Sequence, residues 1–225
     1  MKDVLFVLLF LPFMIFGDIA VSLPANSVSN GAGVSSFGTW TSKGGFQLGW
    51  SITESGSSYN YIYSISNASE GGLSKGINSF ILELNPSVTA SNLSTVITKS
   101  NTAIADGPKT FTSSDISFLP GNIYGVQFDL NGSSTATISF TSTNAPVWGS
   151  FFADNGFTGG SSKGYAYNAA FGSDPNASTK DFSNWVPTVG GASVLAPEPS
   201  TMLILGSTLV AAAYIHKRRR SQKTQ

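Results

Sequence analysis

The amino-acid sequence predicts an all-β protein built on a single antiparallel β-sandwich, of jelly-roll or immunoglobulin-like type, and three observations lead to this prediction. Apolar and aromatic side chains alternate with polar ones along many short segments, which is the period of a strand with one buried face. Ser, Thr, Asn and Gly supply turn signals between these segments, and the whole chain contains 24 glycines. Between the two apolar ends of the chain, helix-forming runs are almost absent. Eight to ten short strands separated by turns are typical of a sandwich.

The first half of the domain contains three alternating segments. They lie at residues 37–41, 46–52 and 59–65, and every second position is apolar, aromatic or β-branched. The last two are predicted to pair as a hairpin with residues 54–58 at the bend, where Gly56 lies between serines.

The second half of the domain contains the remaining strands. Residues 77–84 form one that ends at Asn85-Pro86, and the weaker pattern from 87 to 120 includes a short strand at 93–98. Residues 123–130 and 135–141 are predicted to form the clearest hairpin, because Asn131-Gly132 accepts the positive φ of a tight turn. Strands at 146–152 and 165–171, and a short one after Trp185, complete the set.

The N-terminus predicts export. Lys2 precedes an apolar run from residue 4 to 16, and small residues follow at Ala20 and Ser22. This is the layout of a secretory signal peptide at residues 1–22, with cleavage after Ser22. The alternative is an uncleaved anchor, and either places the following segment outside the cytoplasm.

The C-terminus predicts a membrane helix followed by a basic end. The run from residue 202 to 215 is uncharged and short for a bilayer, which needs about 20 apolar residues. Flanking residues and snorkelling arginines extend it to a transmembrane helix at 200–216. Lys217, Arg218, Arg219 and Arg220 mark the end that stays in the cytoplasm. The alternatives are a buried amphipathic helix and a plain anchor.

These C-terminal features carry a family resemblance. Pro197-Glu198-Pro199, the apolar run and the arginine-rich end occur in the order of the PEP-CTERM sorting domain of bacterial surface proteins, which they resemble. The resemblance implies recognition and processing by an exosortase, a membrane protease-transpeptidase, near the triplet. Residues 77–84 and 145–153 are also similar to segments of PEP-CTERM ectodomains, most of which have no known biochemical function.

Composition limits the possible functions of the exported part. Between residues 23 and 196, six lysines stand against nine carboxylates, a net charge of −3, so this part is a poor partner for nucleic acid. The chain has no cysteine, which removes thiol catalysis, thiolate metal sites and disulfides, and about 170 residues suffice for a core without them. The single histidine, His216, is read as an interfacial residue of the membrane helix, so no Ser-His-Asp triad is expected outside.

Three kinds of site remain open in the exported domain. A glycosidase needs two carboxylates, for which Glu54, Glu83 and Asp129 are candidates. Calcium would bind the oxygen ligands of the loops Asp154-Asn155-Gly156 and Asp174-Pro175-Asn176. The favoured interpretation is that these residues only form turns, so no metal or other cofactor is expected. Carbohydrate would stack on exposed aromatic residues, unless these form the core; the candidates are Trp40, Trp50, Tyr59, Tyr61, Tyr63 and Trp148.

The predicted organisation has five parts. They are a signal peptide (1–22), a β-sandwich ectodomain (23–190), a linker with the Pro-Glu-Pro motif (191–199), a transmembrane helix (200–216) and a basic cytoplasmic tail (217–225). We expect a non-enzymatic protein that crosses the inner membrane, passes through a membrane-anchored intermediate and reaches the cell surface or extracellular matrix. The expected partners are the secretion machinery, an exosortase, the membrane and extracellular polysaccharide. The alternatives are a carbohydrate-binding module and a glycan-active enzyme.

Overall fold

The computed structural model describes residues 26–191 apart from 43, 70, 99–103, 158–161 and 177. The predicted signal peptide, Pro-Glu-Pro motif, transmembrane helix and basic tail all lie outside these residues. No helix in the described part is long and apolar enough to cross a membrane.

The described residues form an all-β structure with a single turn of 3₁₀-helix at Ala90–Asn92. The all-β prediction is therefore confirmed. The strands are β1 (Asn26–Asn30), β2 (Gly33–Gly38), β3 (Phe46–Ser55), β4 (Ser58–Asn67), β5 (Ile77–Glu83), β6 (Leu93–Thr98), β7 (Ile104–Phe111), β8 (Ile123–Ser133), β9 (Ala136–Ser142), β10 (Pro146–Gly149), β11 (Phe151–Asp154), β12 (Gly164–Asn168) and β13 (Val186–Val189).

Eleven of these strands form one curled sheet. Its order is β6-β9-β4-β3-β1-β2-β12-β11-β5-β8-β7, and every neighbouring pair except one is antiparallel. The exception is β1 with β2, which pair in parallel at Ser29↔Gly33, so the prediction of a purely antiparallel fold is wrong at this point. The parallel pair joins the two halves of the sheet, which face each other as in a sandwich.

The inner faces of the two halves enclose an aromatic core. Alternate residues of β3, β4 and β9 point inward, as the period-two pattern predicts. Tyr63 of β4 meets Phe80 of β5 at a ring-centroid distance of 6.3 Å, and Phe140 of β9 meets Phe128 of β8 at 6.1 Å. These contacts join strands that are far apart in the sheet order, so packing of the rings holds the curl closed.

The half formed by β5, β8 and β11 is also covered on its outer face. Ile81 and Phe152 point away from the inner core and are fully buried, together with Phe111, Leu119 and Ile123. Leu119 belongs to the segment between β7 and β8, which therefore packs across this outer face. Burial on both faces explains why residues 77–84 read as a nearly continuous apolar run.

The two remaining strands, β10 and β13, form a separate small sheet. The sequence predicts one strand at 146–152, but Ser150 divides it, and β10 and β11 belong to different sheets. Glu83 fixes the division, since its carboxylate accepts from the Ser150 backbone N–H and its own N–H donates to the Ser150 carbonyl. The Tyr63 hydroxyl donates to the Pro187 carbonyl at 2.8 Å and ties the small sheet to the large one.

The predicted hairpin at Asn131-Gly132 is wrong. Both residues have positive φ, 50° and 72°, but they lie within β8, at the bulge where its register with β5 shifts between Ser133 and Asp129. Strand β8 pairs with β5 and β7, whereas β9 pairs with β4 and β6, so the connection after Ser133 leads from one half of the sandwich to the other. Phe128 of β8 and Phe140 of β9 instead meet across the core, at 6.1 Å between ring centroids, so the two strands are joined by ring packing and not by backbone hydrogen bonds.

Candidate functional site

Three aromatic side chains line a cleft at the surface of the described part. Trp50 and Trp148 meet edge to face at 6.5 Å between ring centroids, and Trp148 stacks on Phe182 at 5.1 Å with an interplanar angle of 12°. The cleft has a volume of about 640 Å³, within the range of about 300–1,000 Å³ that is usual for small-molecule sites. We call it the aromatic cleft.

Four separate parts of the chain build the aromatic cleft. Trp50 lies on β3, opposite Asn26 of β1, and Trp148 lies on β10, opposite Pro187 of β13. The turn 31–33 between β1 and β2 forms one wall, and the segment 181–184 before β13 forms another. Gly33 allows the two walls to meet, because any Cβ there would clash with the Ser183 carbonyl and its φ is +85°.

Polar side chains surround the aromatic rings. Asn26, Ser27, Asp181, Ser183 and Asn184 all line the cleft. The Asp181 carboxylate accepts from the Ser183 backbone N–H at 2.9 Å, and this bond lowers the pKa of Asp181, which therefore stays ionised at neutral pH. None of the described lining residues is Lys or Arg, so the cleft is neutral to acidic.

The two tryptophans of the cleft differ from the other two in their hydrogen bonding. Trp40 Nε1 donates to the Ser74 carbonyl and Trp185 Nε1 to the Ser173 carbonyl. Among the described residues, no acceptor is found for Nε1 of Trp50 or Trp148. Trp50 is only 6% exposed, yet its Nε1 is not one of the fully enclosed unpaired atoms. A buried indole N–H normally has a partner, so both donors are available to a bound molecule.

The structure places four of the six aromatic residues proposed for carbohydrate binding in or against the core and two in the cleft. Trp40, Tyr61 and Tyr63 are fully buried and belong to the core, and Tyr59 packs partly buried against it. Only Trp50 and Trp148 line the cleft. Sequence reasoning missed Phe182 and Asp181, since they lie in a segment without strand pattern. The sequence feature that could have identified them is an aromatic residue within a loop of polar residues.

The three carboxylates considered for a glycosidase do not come together as an acid–base pair. The Glu83 carboxylate accepts a hydrogen bond from the Ser150 N–H, and the Asp129 carboxylate accepts one from the Asn131 N–H at 2.9 Å. Asp129 lies opposite Ser79, four residues before Glu83 on β5, so the backbones of the two acidic residues are about 13 Å apart along the strand direction. Glycosidases use separations of about 5–9.5 Å. Glu54 lies exposed at the end of β3, next to Tyr59.

The two loops considered for calcium carry ordinary turn bonds. The Asp154 carboxylate accepts from the Gly156 N–H at 2.8 Å, and the Asn155 amide donates to the Ser162 carbonyl at 2.7 Å. In the second loop, the Asn176 side-chain oxygen accepts from the Ser178 N–H at 2.9 Å. Within the described ranges, no three acidic or histidine side chains are grouped as metal ligands.

A second group of aromatic residues lies on the outer face of β2 and β12. Phe37 and Tyr165 are cross-strand partners whose rings stack at 4.5 Å, and Phe118 stacks on Tyr165 at 5.4 Å. The Lys163 ammonium lies over the Phe118 and Tyr165 rings. The aromatic cleft combines aromatic rings with a cavity of about 640 Å³, so it is the candidate site pursued below.

The residues predicted to act in sorting and membrane topology lie outside the described residues. These are Pro197, Glu198, Pro199, Lys217, Arg218, Arg219 and Arg220. Comparison with known proteins gives no match to a family model, to a curated protein or to a solved structure.

Proposed function

We propose that the chain is an exported, non-enzymatic surface or extracellular-matrix protein, sorted and processed by an exosortase through its PEP-CTERM-like signal. The observation that carries the proposal is the order of Pro197-Glu198-Pro199, the apolar run and the basic residues 217–220. Export would place the β domain outside and stop the cations on the cytoplasmic side. The protein would pass through a membrane-anchored intermediate before it reaches the surface or matrix.

The chemistry of the triplet suits recognition by a membrane protease. Neither Pro197 nor Pro199 can donate a backbone hydrogen bond or continue a helix, and both residue types favour an extended peptide that a protease could bind. A Glu198 carboxylate is costly to place in hydrocarbon and would keep the triplet at the outer membrane interface. In this role all three are recognition residues, and the catalytic groups belong to the exosortase.

The experiment compares the mass of the mature chain in hosts with and without an exosortase. We expect loss of the membrane helix only where the protease is present, and we expect Glu198→Ala to abolish that loss. Glu54→Ala, an exposed change of the same type within the domain, serves as the control and should be processed normally. A helix retained in both hosts, or normal processing of Glu198→Ala, would reduce the C-terminus to a plain anchor.

A second candidate function, carbohydrate binding by the same exported domain, is favoured by one observation. That observation is the aromatic cleft, in which Trp50 and Trp148 line a concave site and carry indole N–H groups without an acceptor in the described part.

A further inference from the structure

The aromatic cleft presents both an aromatic surface and hydrogen-bonding groups, and these match the two kinds of surface on a sugar ring. A pyranose has an apolar face of C–H groups and an edge of hydroxyls that both donate and accept hydrogen bonds. Trp50, Trp148 and Phe182 supply the aromatic surface. The indole N–H groups supply donors, and the Asp181 carboxylate and Ser27 hydroxyl supply acceptors. A purely apolar ligand would leave the two indole N–H groups unpaired, which costs binding free energy.

The charge of the cleft decides between classes of saccharide. The carboxylate of Asp181 is the one charged group among the twelve described lining residues. A uronic-acid polymer would bring its carboxylates toward Asp181 without a cation to compensate, and like charges at close range are unfavourable. A neutral sugar instead brings hydroxyls, which donate well to a carboxylate.

The walls of the cleft are fixed in place before any ligand arrives. The Trp185 N–H donates to the Phe182 carbonyl at 3.0 Å, and Trp185 Nε1 donates to Ser173. The Asn168 amide donates to the Asn184 carbonyl at 3.0 Å, which ties the 181–184 segment to β12. These bonds hold the end of the segment that leads into β13, and the Ser183 N–H donates to Asp181 within the segment. Binding therefore orders little additional chain, and such preorganisation favours affinity.

We infer that the aromatic cleft binds a neutral saccharide chain, with Trp148 and Phe182 as the stacking surface and with Trp50 Nε1 and Asp181 as polar contacts. The inference deepens the carbohydrate-binding candidate by naming the ligand class. It rests on the proposed export only in that export brings the cleft into contact with extracellular polysaccharide.

The experiment measures retention of the full-length chain on immobilised polysaccharides, in a zwitterionic detergent without a sugar headgroup. The probes are neutral glucan, mannan, galactan and xylan, with a polyuronate and an aromatic-rich peptide for comparison. We expect retention on at least one neutral glycan and on neither the polyuronate nor the peptide. Retention on none of the neutral glycans, or equal retention on the polyuronate or peptide, would overturn the inference.

Variants locate the binding surface. Trp148→Ala and Phe182→Ala should each weaken retention about ten-fold or more, since each removes a stacking ring. Phe157→Ala is the matched control, because Phe157 is 49% exposed and lies outside the cleft. Unchanged retention in both cleft variants, with near-ultraviolet circular dichroism showing native packing, would contradict the assignment.

A second measurement covers the case in which Trp148→Ala does not fold. Trp148→Phe keeps an aromatic ring in the packing but offers a smaller stacking surface, so it should fold and bind the neutral glycan more weakly. The tryptophan emission of the parent chain should shift when a soluble oligosaccharide of that glycan is added, and the shift should shrink in Trp148→Phe. Identical shifts in the two chains would place the ligand elsewhere. The assay uses unprocessed chain, so a failure of sorting and a failure of binding are read separately.

Discussion

Asp154 illustrates how burial changes the behaviour of a single residue. Its carboxylate lies at the end of β11, and burial raises its pKa, against the opposing effects of the Gly156 N–H and the Lys163 charge. Burial also lowers the pKa of Lys163, whose ammonium packs on aromatic rings. Both groups are thus held in surroundings that disfavour their charged forms.

This property predicts a pH-dependent effect of Asp154→Asn. A raised pKa means that the folded chain binds this proton more tightly than the unfolded chain does, so charged Asp154 lowers the free energy of unfolding. Asparagine keeps the acceptor for Gly156 without the charge. We expect Asp154→Asn to be more stable than the parent at pH 7, and the gain to disappear toward about pH 3, where the carboxyl is protonated in both states.

Urea unfolding at pH 7, 5 and 3 tests this expectation. Asp174→Asn, a change of the same kind at an exposed position, should remain within about 0.5 kcal/mol of the parent at each pH. A variant of Asp154 that is less stable at pH 7 than at pH 3, relative to the parent, would show that its charge stabilises the fold.

The aromatic residues show where residue-level prediction reaches its limit. The sequence identifies Trp40 and Trp148 equally as candidates for binding, because each follows the same alternation of apolar and polar positions. The structure buries Trp40 completely and leaves Trp148 half-buried at the cleft. The difference depends on which strands pack over each ring, and that information comes from residues far away in the chain.

At the scale of elements, local pairing is predicted well and long-range pairing is not. The β3–β4 hairpin forms as expected, with Ser55 opposite Ser58 and Gly56 at a positive φ of 62°. Strands β1 and β7 are not predicted from the sequence. Strand β1 is short and polar, and β7 contains Pro108, which is normally evidence against a strand. Both are held by partners that sequence spacing does not identify.

The connection between β8 and β9 provides a test at this scale. Because the chain lacks cysteine, introduced pairs report pairing without interference. Ser64 and Thr137 are cross-strand partners in β4 and β9, so their cysteine variants should form a disulfide in mild oxidant. Asp129 and Ala136 would be opposite each other in a β8–β9 hairpin, but here they belong to different halves of the sandwich. Their cysteine variants should stay reduced.

Thiol titration of the folded chains, before and after denaturation, distinguishes the two arrangements. A disulfide between the cysteines at 129 and 136, with free thiols at 64 and 137, would show that β8 and β9 pair as a hairpin and would contradict the strand order described above. The Ser64 pair faces solvent on the outer side of its sheet, so its formation does not require the core to open.

At the scale of the whole molecule, the order of the strands is what sequence cannot supply. Period-two patterns indicate which face of each strand is buried, but they do not indicate which other strand pairs with that strand. In this chain β5 pairs with β8 and β11, and β9 pairs with β4, over sequence separations that no turn signal spans. The choice among such pairings depends on how well the two inner faces fit each other.

Phe140 joins the two halves of the sandwich, and its removal should therefore affect the stability of the whole domain. The side chain is 2% exposed, and its ring packs against Tyr61 and Tyr63 in its own half and Phe128 in the other. Phe140→Ala should lower the free energy of unfolding by about 3–5 kcal/mol, because it removes buried apolar surface and leaves a cavity between the halves. For a domain with a typical total of about 5–15 kcal/mol, this is a large fraction.

The measurement is urea unfolding of Phe140→Ala, Phe140→Leu and Phe157→Ala beside the parent. Phe140→Leu refills most of the space and should cost less than Phe140→Ala, roughly 1–2 kcal/mol. Phe157→Ala removes the same ring from an exposed position and should cost no more than about 0.5 kcal/mol. If Phe140→Ala costs as little as Phe157→Ala, the rings between the halves do not hold the sheet closed. In that case the parallel pair β1 and β2, with the small sheet of β10 and β13, would have to keep the two halves together.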